Sequence, residues 1–161
     1  MPVTWKDIAF EPGAAFGEGV VQSWEWMTDR KDLKPFLCSK LGDVYCTDAL
    51  GAVHWLSCSA GAIEWITPTR AIFDAECAKN GAKVDEWFGP KLIEQLHAGG
   101  NVAGAGEAYM FITLPIFKEC TYEPDNFKVA EANEVFVGLS EVHKLYNGMP
   151  DKTRVRMVVQ D

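Results

Sequence analysis

The sequence predicts an α+β fold, a single domain in which an antiparallel β-sheet meander packs against two or three helices. Short β-forming segments separated by turn residues run from Gly42 to Thr67. Two segments with helical spacing follow them, and more strand-like segments come after the helices. A chain of 161 residues with six tryptophans and nine phenylalanines can bury a core without disulfides or metals.

Residues 1–35 are predicted to form an irregular lead-in to the domain at 36–161. Pro12 and the small residues of "GAAFGEG" interrupt any regular pattern, although one helical turn fits around Thr4 to Ala9. The run "VVQSWEWMT" fits either a short strand or a helix.

The meander is predicted from three strands and two turns. Strands are expected at Val44–Thr47, in "AVHWLS" and in "AIEWIT". The turns are "DALG" at Asp48–Gly51, which has the composition of a type I turn, and "CSAG". Strands joined by four-residue turns make an antiparallel meander.

Two helices are predicted after the meander. Thr67 is expected to cap the first helix with Pro68 at its first position, and Asn80–Gly81 ends it. "KVDEWFGPKLIEQLHAGG" predicts the second, with a kink or a break at Gly89–Pro90.

The C-terminal part is predicted to be mostly strand. "YMFITLPIFK" fits a buried strand with Pro115 at or past its end. "EVFVGLSEVHKLY" predicts a β-hairpin through Gly138 to Glu141, and Thr153–Val159 fits a strand or a loop.

The charge balance limits the kinds of partner. The net charge is -8, and six acids against Lys128 alone lie between Glu119 and Glu141. An acidic protein binds phosphate backbones and anionic lipid poorly, so neither nucleic acid nor a membrane is expected as a partner. A basic protein is a suitable partner, although negative charge also serves solubility alone.

The cysteines and the N-terminus bear on location. Five cysteines without a CxxC argue against a disulfide framework and against a zinc ribbon. The start "MPVTWKDIAF" lacks a basic region and a long apolar run, so no signal peptide is expected. Together these features predict a cytoplasmic protein.

Candidate catalytic residues are few. His54, His97 and His143 are far apart in sequence, and no GxSxG elbow is present. Asp43, Asp48 and Glu64 could bring carboxylates together around the meander, but bonds to nearby backbone N–H groups are the favoured role for Asp43 and Asp48. No EF-hand or HExxH pattern occurs, so we expect no metal, no cofactor and no enzymatic activity.

Several motifs, in order, carry a family resemblance. "FLCSKLGDVYCTDALGAVHWLSCSAGAIEWIT", "DEWFGPKLIEQLHAGG", "LPIFKECTYEPDNFKV" and "VGLSEVHKLYNGMPDKTRVR" resemble the C-terminal domain of type VI secretion DNase immunity proteins. That family was long known only as a domain of unknown function, and it is often paired with a GAD-like domain. The resemblance covers about residues 36–155. Lys118–Glu119 and Lys152 stand where the family has glycines.

The resemblance implies an immunity protein that binds and neutralises a cognate secreted toxin, a nuclease effector, in the cytoplasm. Partner-binding residues are expected at Glu123, Asp125, Glu131 and Glu134, from the acidic run. The family-motif positions, expected to be structural, are Gly42, Asp43, Asp48, Gly51, His54, Trp55, Trp87 and His143.

Two alternatives remain open from the residues. One is an enzyme of unknown class that uses His54, His143 and nearby carboxylates such as Asp43, which would require these groups to converge in a cleft. The other is a small-ligand-binding regulatory module with an aromatic-rich pocket between sheet and helices.

Overall fold

An antiparallel sheet of five strands forms the centre of the fold, and a second sheet has two strands. The structure is a computed structural model that describes residues 2–149. The strands are β1 Ala9–Phe10, β2 Lys34–Ser39, β3 Asp43–Thr47, β4 Val53–Ser57, β5 Ala62–Thr67, β6 Glu107–Phe111 and β7 Phe127–Glu131. The main sheet has the order β1-β2-β3-β4-β5 and the second sheet pairs β6 with β7, so the α+β class is confirmed.

The helices of the described residues surround the main sheet. They are α1 Trp5–Ile8, α2 Ala14–Ser23, α3 Glu25–Thr28, α4 Arg70–Lys79, α5 Gly81–Phe88, α6 Pro90–Ala98 and α7 Leu139–Tyr146. A 3₁₀ helix covers Pro124–Asn126, and a π-helix at Glu134–Gly138 leads directly into α7.

The predicted meander is confirmed. Strands β2 to β5 follow one another in sequence and pair antiparallel. The turn at Asp48–Gly51 closes with a bond from the Gly51 N–H to the Asp48 carbonyl, at 3.0 Å. Because every residue from Asp43 to Cys46 is buried, both faces of β3 are covered.

An aromatic cluster joins one face of the sheet to α4 and α5. The Tyr45 ring packs against Phe73 and Phe88, with centroids 5.2 Å away in each case. The Tyr45 hydroxyl donates to the Trp87 carbonyl at 2.6 Å. Burying such rings supplies much of the hydrophobic stabilisation.

A group of helices separate from α4 and α5 contains α2, α3, the π-helix and α7. The indole N–H of Trp24 donates to the Phe136 carbonyl at 2.8 Å, and the Trp24 ring lies 5.7 Å from His143. Trp26 donates to the Ser140 hydroxyl at 2.8 Å. The N-terminal helices are therefore tied to the C-terminal ones through tryptophan side chains.

The prediction of an irregular lead-in at residues 1–35 is wrong. The helical turn near Thr4 is present as α1, but α2 is a further helix of ten residues. Glycines in α2 weakened its helical pattern in the sequence, since glycine disfavours helices. Gly17 has a packing role instead: a Cβ there would lie 2.8 Å from the Pro35 side chain.

The predicted hairpin through Gly138 to Glu141 is also wrong, because this segment is helical. Its buried residues follow helical spacing, at Val135, Phe136, Leu139, Ser140 and His143. Gly138 has the φ of -59° of an ordinary right-handed helix. The glycine that suggested a turn lies inside the helical run.

Two predicted helix boundaries have different outcomes. The cap of α4 is Thr69 rather than Thr67, and the Thr69 side chain accepts a bond from the Ile72 N–H at 3.1 Å. The break at Gly89–Pro90 is confirmed, since α5 ends before Gly89 and α6 begins at Pro90.

The small sheet is anchored to the main one through Lys40. The Tyr109 N–H donates to the Lys40 carbonyl at 2.7 Å. The Lys40 ammonium donates to the carbonyls of Gly104 and Glu107, each at 2.8 Å. Pro115 lies past the end of β6, as predicted. The strand or loop predicted at Thr153–Val159 lies outside the described residues.

Candidate functional site

The three residues of the possible catalytic cluster do not converge. Cross-strand pairing places Tyr45 opposite Trp55 and Cys46 opposite His54. Because neighbouring side chains alternate between faces, Asp43 shares the Tyr45 face whereas His54 lies on the other. His143 lies on α7, and its Nε2 is 2.9 Å from the Ser59 carbonyl.

His54 belongs to a polar network that holds the turn at Asp48–Gly51. Its Nε2 lies 2.8 Å from Asp48 Oδ2, and the other oxygen, Asp48 Oδ1, accepts from the Leu50 and Ala52 N–H groups. Arg30 lies 3.6 Å from Asp48. The hydrogen bond from His54 lowers the pKa of Asp48. The predicted bonds from the Asp48 side chain to nearby backbone N–H groups are present.

His143 is a buried histidine held by a backbone carbonyl. Burial lowers its pKa, because the charged imidazolium is disfavoured away from water. At neutral pH the ring is therefore uncharged, and its Nε2–H can donate to the Ser59 carbonyl. This arrangement fixes α7 against the loop that follows β4.

Two other family-motif residues have clear packing roles. Gly42 has a φ of +89°, and a Cβ there would lie 2.9 Å from the Ser59 hydroxyl and 3.0 Å from Val135. The Trp87 ring stacks on Phe73 at a centroid distance of 5.0 Å. Both positions join the meander to the helices.

Asp43 has a different environment from the one predicted. Instead of bonding backbone N–H groups, its carboxylate accepts from side chains: the Ser39 hydroxyl at 2.6 Å and the Trp55 indole N–H at 2.9 Å. Burial raises its pKa to about 6, while the hydrogen bonds act in the opposite direction. A group with this combination often marks a functional site.

A cleft of about 350 Å³ opens beside Asp43, between the sheet, α5 and the loop after β6. Its volume lies in the range of small-molecule sites. Aromatic side chains and carboxylates line it together, including Asp43, Trp55, Asp85, Glu86, Trp87 and Tyr122. The sequence predicts an aromatic-rich pocket between sheet and helices as one alternative, but its local pattern does not place Asp43, Asp85 and Glu86 in that pocket.

The pairing of β3 with β4 is the feature from which part of this cleft could be predicted. Tyr45 and Trp55 are cross-strand partners, so alternation puts Asp43 on their face. Asp85 and Glu86 come from α5, a helix much later in the chain. Only the packing of α5 on the sheet brings these acids to the cleft.

The described residues hold no group of three or more His, Cys, Asp or Glu side chains that could bind a metal ion. The buried cysteines are not reactive groups either. Burial raises the pKa of Cys38 above its usual range and that of Cys46 to about 12. Both thiols are therefore protonated, and neither is a reactive thiolate.

The four residues predicted to bind a partner are all exposed. Glu123 and Asp125 come just before β7, whereas Glu131 ends that strand and Glu134 begins the π-helix. The length of β7 separates Asp125 from Glu131 by roughly 20 Å. The structure therefore forms two acidic pairs, one at each end of β7, rather than one cluster.

No helix among residues 2–149 is long and apolar enough to cross a bilayer. No family model and no curated protein matches this chain. Membership of the type VI immunity family therefore stays a prediction that depends on the motifs quoted above.

Proposed function

We propose that this chain is an immunity protein that binds a cognate secreted toxin, a nuclease effector of a type VI secretion system, and neutralises it in the cytoplasm. The ordered motifs from about residue 36 to residue 155 support the family. The net charge of -8 supports a basic partner.

The observation that carries the proposal is the pair of exposed carboxylates at each end of β7. Glu131 lies directly opposite Glu107 on β6. Like charges at a cross-strand pair destabilise a sheet. Glu123, Asp125 and Glu134 extend this negative surface past both ends of β7. A positively charged partner surface would complement these acids.

The area available is suitable for a specific complex. A standard interface covers about 800 Å² on each partner, which corresponds to a patch roughly 30 Å wide. The separation of roughly 20 Å between Asp125 and Glu131 is smaller than this width. Nucleases that act on DNA carry basic surfaces that contact phosphates, so their surfaces complement this one.

A small-ligand-binding module is a second candidate function. The cleft beside Asp43 favours it, because a concave site of ligand size contains a buried carboxylate and aromatic walls. The two functions use different surfaces and can exist in one protein.

Capture from the source cell tests the toxin-binding proposal. The purified chain serves as bait beside a variant with Glu131→Lys and Glu134→Lys. A control variant carries Glu64→Lys and Asp74→Lys, two exposed acids on β5 and α4 that give the same change in net charge. We expect the wild-type and control baits to retain a basic protein in about equal molar amount.

The β7 variant should retain that protein with about tenfold lower affinity, mainly through slower association that loses its salt dependence. Equal retention by all three baits would show that β7 is not the interface. Retention of nothing by a folded wild-type bait, with the toxin expressed, would contradict toxin binding itself.

A further inference from the structure

Asp43 is a buried carboxylate that has no cationic partner among the described residues. Only 7% of its surface is exposed. The groups that donate to it, Ser39 and Trp55, are neutral. Buried charges in proteins are normally paired, because desolvation of a lone charge is costly. Asp43 is also one of the residues that line the cleft.

The other charged residues that line the cleft are also negative. Asp85 and Glu86 contribute two further carboxylates, and none of the lining residues is Lys, Arg or His. Both acids have a lysine within salt-bridge distance. The Lys83 ammonium lies 3.1 Å from the Glu86 carboxylate, and the Lys91 ammonium lies 3.8 Å from that of Asp85. Lys91 is exposed, whereas Lys83 is half-buried with its ammonium 5.6 Å from the centroid of the Trp87 ring. Neither lysine lines the cleft, and neither pairs with Asp43.

The walls are aromatic. Trp55, Trp87 and Tyr122 line the cleft, and Tyr122 is exposed over 67% of its surface. Trp87 is only 3% exposed, and its ring is already stacked on Phe73, so Trp55 and Tyr122 provide the accessible aromatic surface. The faces of such rings attract cations and also cover apolar groups. A ligand that matches both features carries a positive charge and an apolar body.

We propose that this cleft binds an organic cation, an ammonium or guanidinium group on an apolar stem. The cationic group pairs with Asp43, and the stem lies against Trp55 and Tyr122. A metal ion fits less well, since the described residues provide no cluster of three ligating side chains. This inference does not depend on toxin binding at β7.

The cation can belong to a free small molecule or to an arginine or lysine side chain of a protein. Three probes separate these sources: 2-phenylethylamine, its neutral isostere 2-phenylethanol, and arginine capped as N-acetyl-arginine methylamide. Binding is followed through the NMR signal of the Trp55 indole N–H, which lies in the cleft wall beside Asp43.

The full chain is compared with Asp43→Asn and with Glu131→Gln, a control that removes an exposed carboxylate on β7. Neutralisation of Asp43 should be compatible with folding, because burial already favours the uncharged form of this side chain. The amine–alcohol comparison on the unaltered chain is independent of any variant.

We expect the amine to bind about tenfold more tightly than the alcohol, the value expected for a charged hydrogen bond. Asp43→Asn should reduce that ratio to about one, whereas Glu131→Gln should preserve it. Tight binding of capped arginine alone, with the same dependence on Asp43, would assign the cation to a protein side chain. The proposal is overturned if neither cation binds more tightly than the alcohol, or if Asp43→Asn leaves the ratio unchanged.

Discussion

At the residue scale, Asp43 is a carboxylate whose burial raises its pKa well above that of an exposed aspartate. Its carboxylate is buried on the Tyr45 face, and two hydrogen bonds only partly offset the cost of desolvation. The folded protein therefore bears a cost for keeping Asp43 ionised at neutral pH. Such a cost is typical of a binding site and unusual for a purely structural group.

This cost predicts a pH dependence of stability. Between pH 4 and pH 6 the folded state retains a proton on Asp43 that the unfolded state has released. Stability from this group therefore falls as the pH rises through that window, by about 3 kcal/mol in total. Chemical denaturation of wild type and Asp43→Asn at pH 4, 5, 6 and 7 measures the difference.

The difference between the two proteins isolates Asp43. The lowered pKa of His143 gives the opposite trend below pH 6.5, but it contributes equally to both proteins and cancels. The lowered pKa values of Asp32, about 2, and Asp48 act below pH 4. Parallel stability curves for wild type and Asp43→Asn between pH 4 and pH 6 would contradict this account of Asp43.

The sequence marks Asp43 as a motif residue, but the prediction that its carboxylate bonds nearby backbone N–H groups is wrong. The turn after β3 was predictable, because Asp48 and Gly51 have local roles that composition reveals. The donors to Asp43 are two side chains, one on each neighbouring strand. Contacts of this kind follow from strand register, which the local pattern does not specify.

At the element scale, the meander was predictable and the helical C-terminal segment was not. Turn residues at regular intervals defined β3, β4 and β5. In the segment from Glu134 to Tyr146, β-branched and aromatic residues indicated strands, and Gly138 indicated a turn. Packing of Phe136 and Leu139 into the core overrides those local preferences.

The loop between β6 and β7 depends on one buried side chain, Asn126. Its Oδ1 accepts from the Thr113 N–H at 2.8 Å. Its Nδ2 donates to the carbonyls of Thr113 and Thr121, at 3.0 Å and 2.8 Å. These bonds hold the loop that contains the acidic residues Glu123 and Asp125.

Asn126→Ala should therefore destabilise the fold by about 2–3 kcal/mol, because the three bonds are lost and their backbone partners are left unpaired. Asn133→Ala is the matched control, since Asn133 is exposed and its side chain makes no capping bond. The control should change stability by less than about 0.5 kcal/mol. Urea unfolding measures both, and equal effects would show that Asn126 does not hold the loop.

At the scale of the whole molecule, the negative charge of the protein contributes to two different features, an exposed surface and a cleft. The carboxylates at the two ends of β7 are exposed and suit a large basic surface. The carboxylates of Asp43, Asp85 and Glu86 line a cleft of about 350 Å³, which suits a single organic cation. The composition predicted negative charge overall, but only the fold separates it into a surface and a cleft.

Growth of cells that express the captured basic protein shows whether this chain neutralises a toxin. Expression alone should arrest growth, and co-expression of the wild-type chain should restore it. The variant with Glu131→Lys and Glu134→Lys should restore growth only at a much higher level of expression, whereas the variant with Glu64→Lys and Asp74→Lys should protect like wild type. Growth that stays arrested despite abundant, folded wild-type chain would contradict the account.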